Sequence, residues 1–293
     1  MTTVDAPVAL PNPRARRRRL LRKRFLRRPM AVAGLIVVVG FVVVAIFAPL
    51  LAPYDPGATD FNALLAHPSP EHWLGTDELG RDELSRLIWG ARASIQAGVF
   101  ATVLAMVVAV PIGLVAGYYR GWIDTVIARL TDVLLAFPFL ILAVGLAAIL
   151  GPSLMNATIA LGIAAMPGLI RVARGEALAL REEDFVPAAV ANGANDMTII
   201  FRHILPNMTS TLLVQATLTI PAAIIGEAVL SFLGLGVQPP TPSWGTMLQD
   251  AQSYLAQAPR LAVYPGLAIV IAALAFNVLG DGLRDIFDPR TTR

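Results

Sequence analysis

Six long apolar stretches leave this chain of 293 residues few folds to choose from. They run over Met30–Ala52, Ile95–Tyr118, Val126–Leu150, Leu154–Ala173, Met208–Leu235 and Leu261–Leu279. At ~1.5 Å rise per residue each covers roughly the 30 Å hydrocarbon core of a bilayer. Prolines 111, 138, 167 and 221 fall inside these runs, which a bundle tolerates because neighbouring helices re-satisfy the freed carbonyls. Gly113 and Gly117 permit close helix approach and read as packing residues. The expected fold is therefore an all-α membrane protein with six transmembrane helices. Composition agrees, with 15% charged residues where soluble chains carry about a quarter.

Basic residues set the expected orientation. Ten lie between Arg14 and Arg28, just before the first apolar run. A run like this can bind nucleic acid, but beside a membrane span it reads as a cytoplasmic anchor. Arg22-Lys23-Arg24-Phe25-Leu26-Arg27 has the look of a twin-arginine signal. The apolar segment that follows exceeds the ~7–15 residues of a signal core, so it is read as a retained span. With the N-terminus inside, Arg120, Arg129, Arg171, Arg174, Arg181, Arg202, Arg284, Arg290 and Arg293 join the tail on the cytoplasmic side. Only Arg81, Arg86, Arg92 and Arg260 fall outside. The positive-inside rule is satisfied, and both termini are expected in the cytoplasm.

Several chemistries are excluded. The chain has no cysteine, so disulfides, thiolate catalysis and cysteine-based zinc sites are absent. His67, His72 and His203 are too scattered in sequence to suggest a metal centre. The one lysine, Lys23, lies in the arginine-rich tail, so no Gly-x4-Gly-Lys-Ser/Thr phosphate loop exists. No nucleophile–base motif marks an active site either. An ATP-driven process would need its motor on another polypeptide.

The polar interval Arg171–Asn207 carries helix signals in place of linker composition. Asp184 is a candidate N-cap, with Pro187 in the first turn, where its missing N–H costs little. Ala188 and Ala189 form a small-residue face, and Gly193 supplies a stop. Asn195, with Asp196 beside it, can cap a second short helix ending near Leu205, ahead of Pro206. The expected shape is helix, glycine elbow, helix at a membrane surface.

This spacing resembles the loop that ABC importer permeases present to their ATPase subunits. The family pattern is Glu-Ala-Ala, three residues, Gly, nine residues, Ile-x-Leu-Pro. Here Ala188-Ala189 is followed after three residues by Gly193, and after nine more by His203-Ile204-Leu205-Pro206. Pro187 replaces the family glutamate, and His203 stands in place of isoleucine, as in the dipeptide/oligopeptide branch. Two further stretches resemble the C-type permeases of that branch. One runs from His72-Trp73-Leu74-Gly75-Thr76-Asp77 through Gly80-Arg81-Asp82 to Ser85-Arg86. The other, Glu227 to Gly245, ends in Gln238-Pro239-Pro240-Thr241-Pro242-Ser243-Trp244-Gly245.

The resemblance implies a type I ABC importer permease-like bundle in a bacterial plasma membrane, carrying di- or oligopeptides. It divides the chain into a basic tail (1–28), a first span with an outside segment (29–94), a five-helix core (95–283) and a cytoplasmic tail (284–293). The core would carry an ATPase-coupling loop at 174–206. The coupling residues it implies are Ala188, Ala189, Gly193, Asn195, Asp196, His203, Leu205 and Pro206. The partners implied are a second homologous permease, two ATPase subunits that bind ATP and magnesium, and an extracytoplasmic peptide-binding protein. No cofactor, metal or nucleic acid is expected in this chain.

The segment Pro53–Arg92 is read as an extended loop followed by a helix, Glu83–Gln96, entering the second span. Its alternating acids and arginines read as a self-paired, solvated interfacial segment. Glu227 is the acid most clearly inside a span; exposed to lipid it would cost roughly 2.5–3.5 kcal/mol. It either lines the translocation path or makes a structural hydrogen bond to a neighbouring helix. Nickel or another small solute is an alternative cargo. A membrane-embedded enzyme and a passive channel are alternatives of another class.

Overall fold

The computed structural model describes residues 25–287. Most of the expected basic tail, and the end of the C-terminal tail with Arg290 and Arg293, lie outside the described residues. Regular structure among the described residues is helical, apart from one isolated bridge between Thr76 and Asp82. In chain order the helices are α1 (Pro29–Leu51), α2 (Glu83–Tyr119), α3 (Gly121–Leu135), α4 (Phe139–Leu150), α5 (Leu154–Arg181) and α6 (Phe185–Ala191). They are followed by α7 (Asp196–Phe232), α8 (Trp244–Ala251) and α9 (Arg260–Phe287).

Helices α1, α2, α5, α7 and α9 are each long and apolar enough to cross a membrane. The expected third span is not one helix. Its two halves, α3 and α4, meet at 89°, and they supply a sixth crossing only if counted together. Pro138 is the cause: it has no N–H to give, and it pushes Phe137 out of the helical region. The polar side of α3 also ties that limb to one end of the bundle, through Arg171 to Asp132 at 2.8 Å and Arg174 to Asp124 at 2.7 Å. Pro111, Pro167 and Pro221 instead lie inside continuous helices, as expected.

The helix that enters the second span begins where expected, at Glu83, and runs unbroken for 37 residues. Asp82 caps it, its carboxylate accepting from the Ser85 N–H at 2.8 Å. Helices α2 and α5 form the centre of the bundle. Their facing sides are small: Ala105, Ala109, Ala116, Ala173 and Ala177 are all essentially inaccessible. On this pair packs α7, α9 packs on α7, and α1 is laid against α2 and α9.

Residues 52–82 fold over one end of the bundle, with α8 at their side. The Arg260 guanidinium donates to the carbonyls of Leu65 and Ala66 at 2.8 and 3.0 Å. The opposite end carries α6 and the start of α7, packed on the last turns of α2 and α5.

Candidate functional site

The elbow between α6 and α7 is built from its own backbone. Gly193 has φ +81°, and the chain closes α6 with two bonds, Gly193 N–H to Val190 O at 2.9 Å and Ala194 N–H to Ala189 O at 3.0 Å. That pair is a Schellman motif. Asn195 then caps α7, accepting from the Thr198 N–H at 2.9 Å. Pro187 stands in the first turn of α6, as its sequence position requires.

Two expectations fail here. Asp184 occupies the N-cap position, but its backbone is already helical and its side chain makes no capping bond. A capping carboxylate needs the extended geometry that this turn lacks. The second helix does not end near Leu205 either. After Asp196–Thr198 it widens into a π-helical turn, Ile199–Ile204, and continues through Pro206 to Phe232. The wide turn leaves room for a residue without an N–H, and the Asn207 amide donates to the His203 carbonyl at 2.8 Å.

The elbow has two faces. Val186, Ala189, Ile199, Ile200 and Ile204 are buried against Leu114, Tyr118, Ala173 and Ala177 of the central pair. Ala189 is therefore small for internal reasons. Gly193, Ala188 and Pro206 are exposed. So are three large apolar side chains, Val190 at 56%, Met197 at 58% and Phe201 at 57%. His203 is half-buried and stacks on Phe185, with ring centroids 6.4 Å apart. Leu205 is half-buried in the turn before Pro206. Asp196 turns one carboxylate oxygen inward, where it accepts from the Tyr118 hydroxyl at 2.8 Å. Nothing in the sequence singled out Tyr118: a tyrosine closing a span is ordinary interfacial composition.

Glu227 hydrogen-bonds to a neighbouring helix. It is wholly inaccessible, accepting from the Ser94 hydroxyl at 2.7 Å and the Ser231 hydroxyl at 2.6 Å. α2 closes over the carboxyl, an arrangement that favours the hydrogen-bonding alternative over the path-lining one. Beside it Trp244, also fully buried, donates through Nε1 to the Leu87 carbonyl at 3.1 Å. The junction ties α2, α7 and α8 together.

The charged string after α1 is self-paired as expected but not solvated. Asp77, Arg81, Asp82 and Arg86 are all buried. Arg81 donates to Asp77 at 2.6 Å and to Glu78 at 2.7 Å, and Arg86 donates to Asp250 of α8 at 2.9 Å. Desolvation raises the Glu78 carboxyl above its ordinary range, with Asp77 adding to it and Arg81 opposing. Desolvation also raises Asp250, against Arg86 and Arg81. Groups raised in this way favour the protonated folded state. Their stabilisation is complete below the ordinary carboxylate pKa and is lost as pH rises through the raised value. The thermal midpoint should therefore fall as pH rises above the ordinary carboxylate range. Glu78→Gln keeps an oxygen for Arg81 without the charge. It should raise the midpoint at neutral pH by on the order of 2 °C and flatten the pH dependence. An unchanged pH profile in that variant would contradict the assignment.

Residues 109–293 match the profile of the binding-protein-dependent transport system inner membrane components. Residues 17–68 match the N-terminal transmembrane domain of oligopeptide transport permease C. The chain is 46% identical to the dipeptide transport system permease protein DppC of Alkalihalophilus pseudofirmus, over 92% of this chain and 88% of that one. It is 48% identical to the glutathione transport system permease protein GsiD of Escherichia coli O157:H7, over 92% and 89%. Among solved structures, an inward-facing conformation of the MetNI methionine ABC transporter superposes with a TM-score of 0.59. That likeness has 18% identity and covers 70% of this chain and 98% of that one, which makes the fold that of a type I ABC permease.

Proposed function

The chain belongs to the family of binding-protein-dependent transport system inner membrane components, and from that premise we propose that it forms half of a peptide-conducting path and takes its drive at the Gly193 elbow. It is a multi-pass membrane permease of an importer of di- or oligopeptides, the class to which its dipeptide and glutathione relatives are assigned by name. The observation that carries the elbow assignment is its two-faced build. One side is locked into the bundle, while Val190, Met197 and Phe201 stand exposed in a polar interval between spans. Apolar side chains held out together at a polar end fit a partner surface.

That partner is an ATPase subunit, one on this elbow and one on a second, homologous permease. ATP and magnesium are bound there. The distribution of basic residues supports a cytoplasmic position for this end and for both termini. Closure of the ATPases displaces α6, and α5 and α7 tilt as levers, opening the path toward an extracytoplasmic binding protein. The end capped by residues 52–82 and α8 is where that protein docks.

The test is ATP hydrolysis by the whole purified complex in lipid, with and without binding protein loaded from a peptide mixture. Stimulation by the loaded protein is the expected result. Hydrolysis indifferent to peptide would move the cargo elsewhere, and a complex without an ATPase would end the reading.

A further inference from the structure

We infer that Tyr118 is the positioning residue that makes α2 follow the elbow, so that coupling runs through its hydrogen bond to Asp196. The inference rests on the reading of the elbow as the ATPase joint.

Tyr118 sits one residue from the end of α2 and is 7% exposed. Its position is fixed from behind. A Cβ at the adjacent Gly117 would meet the Ala177 Cβ and the Arg174 carbonyl, each at 2.7 Å, so α2 and α5 are in direct backbone contact here. The guanidinium of Arg181, the last residue of α5, lies 5.4 Å over the Tyr118 ring. The hydroxyl donates at 2.8 Å to Asp196, the first residue of α7. Three levers meet at one side chain.

Around that bond the contacts between the elbow and the bundle are apolar, Val186, Ala189, Ile199 and Ile204 against Leu114, Ala173 and Ala177; the polar ties of Arg120 to Glu182 and of Thr211 to Glu176 lie outside the stretch from Gly193 to Ile204. Contacts of that kind hold elements together without fixing direction. On one side of Asp196 stands Gly193, a glycine joint, and on the other the π turn Ile199–Ile204. Both can absorb a displacement. The Tyr118–Asp196 bond is directional and falls between them, so a push on the elbow reaches α2 before either yields.

The experiment uses the full complex with its binding protein in proteoliposomes, supplied with a peptide mixture, and reads uptake and ATP hydrolysis in the same vesicles. Tyr118→Phe keeps the ring and removes only the donor. Peptide taken up per ATP should fall about five- to tenfold, the factor carried by one such hydrogen bond. Asp196→Ala should lower the ratio equally, and the double variant should fall no further than either single one. Asp196→Asn, whose oxygen still accepts, should restore the ratio. A merely structural Tyr118 would instead lower uptake and hydrolysis together, with the ratio unchanged, and that result overturns the inference. A normal ratio in Asp196→Ala overturns it even where Tyr118→Phe does not assemble. A wild-type complex that is coupled alongside coupled variants sinks only this inference, whereas a wild-type complex lacking an ATPase sinks the joint itself.

Discussion

Gly193→Trp should leave the chain inserted and assembled in the membrane yet reduce uptake more than tenfold, a factor that ~1.4 kcal/mol at the joint suffices to produce. Two effects combine. At φ +81° a bulky residue such as tryptophan is strained, by roughly 1–2 kcal/mol. A Cβ at this position also meets nothing within 4 Å, so the indole is not rejected by the chain itself. It projects into the space assigned to the ATPase. Gly193→Asn separates the two, because asparagine tolerates the left-handed region and is small; it should transport nearly normally. The checks are membrane-extracted amount by immunoblot and labelled-peptide uptake. Normal uptake by the tryptophan variant would remove the elbow from the mechanism.

Gly113→Leu should destabilise the whole bundle, and more severely together with Gly117→Leu. At Gly113 even a Cβ would meet the Ala173 Cβ at 2.6 Å and the Arg174 N and Ile170 O at 2.9 Å. Two of these three atoms are backbone and cannot swing aside, so a leucine forces α2 and α5 apart. Overpacking of this kind costs about 1–3 kcal/mol per site. The pair should therefore lower the thermal midpoint of the purified protein by on the order of 10 °C, read by tryptophan fluorescence in detergent. Gly113→Ala should fall between. A double variant that melts with the wild type would mean that the two helices do not touch there.

Much of this was legible in the sequence because the bilayer imposes so few solutions. An apolar run of the right length becomes a helix, and Gly193 and Asn195 announce a stop and a start through requirements of the backbone alone. Gly113 and Gly117 likewise showed where two helices approach. What escaped depended on tertiary neighbours. Pro138 and Pro221 look alike in sequence, yet one breaks its helix at 89° and the other runs through. Their tertiary neighbours differ: Asp124 and Asp132 hold the limb before Pro138 to the arginines of α5. Pro206 was expected to end a helix, but a π turn accommodates it. The acids and arginines after α1 read as solvated because pairing along the chain is visible, whereas Asp250, which completes the network from far downstream, is not. Tyr118 was invisible for the same reason.

The burial of Glu227 has a consequence for how the protein is made. Its partner Ser94 lies 133 residues earlier in the chain. At ~10 residues per second, α2 is in place for on the order of ten seconds before the ribosome reaches that carboxyl. A carboxylate released into lipid would resist partition by roughly 2.5–3.5 kcal/mol. Here the nascent α7 emerges toward a hydroxyl already waiting, with Ser231 following one turn later on its own helix. The order of synthesis thus lets an otherwise reluctant segment leave the translocon already matched, and makes the early helices a template for the late ones.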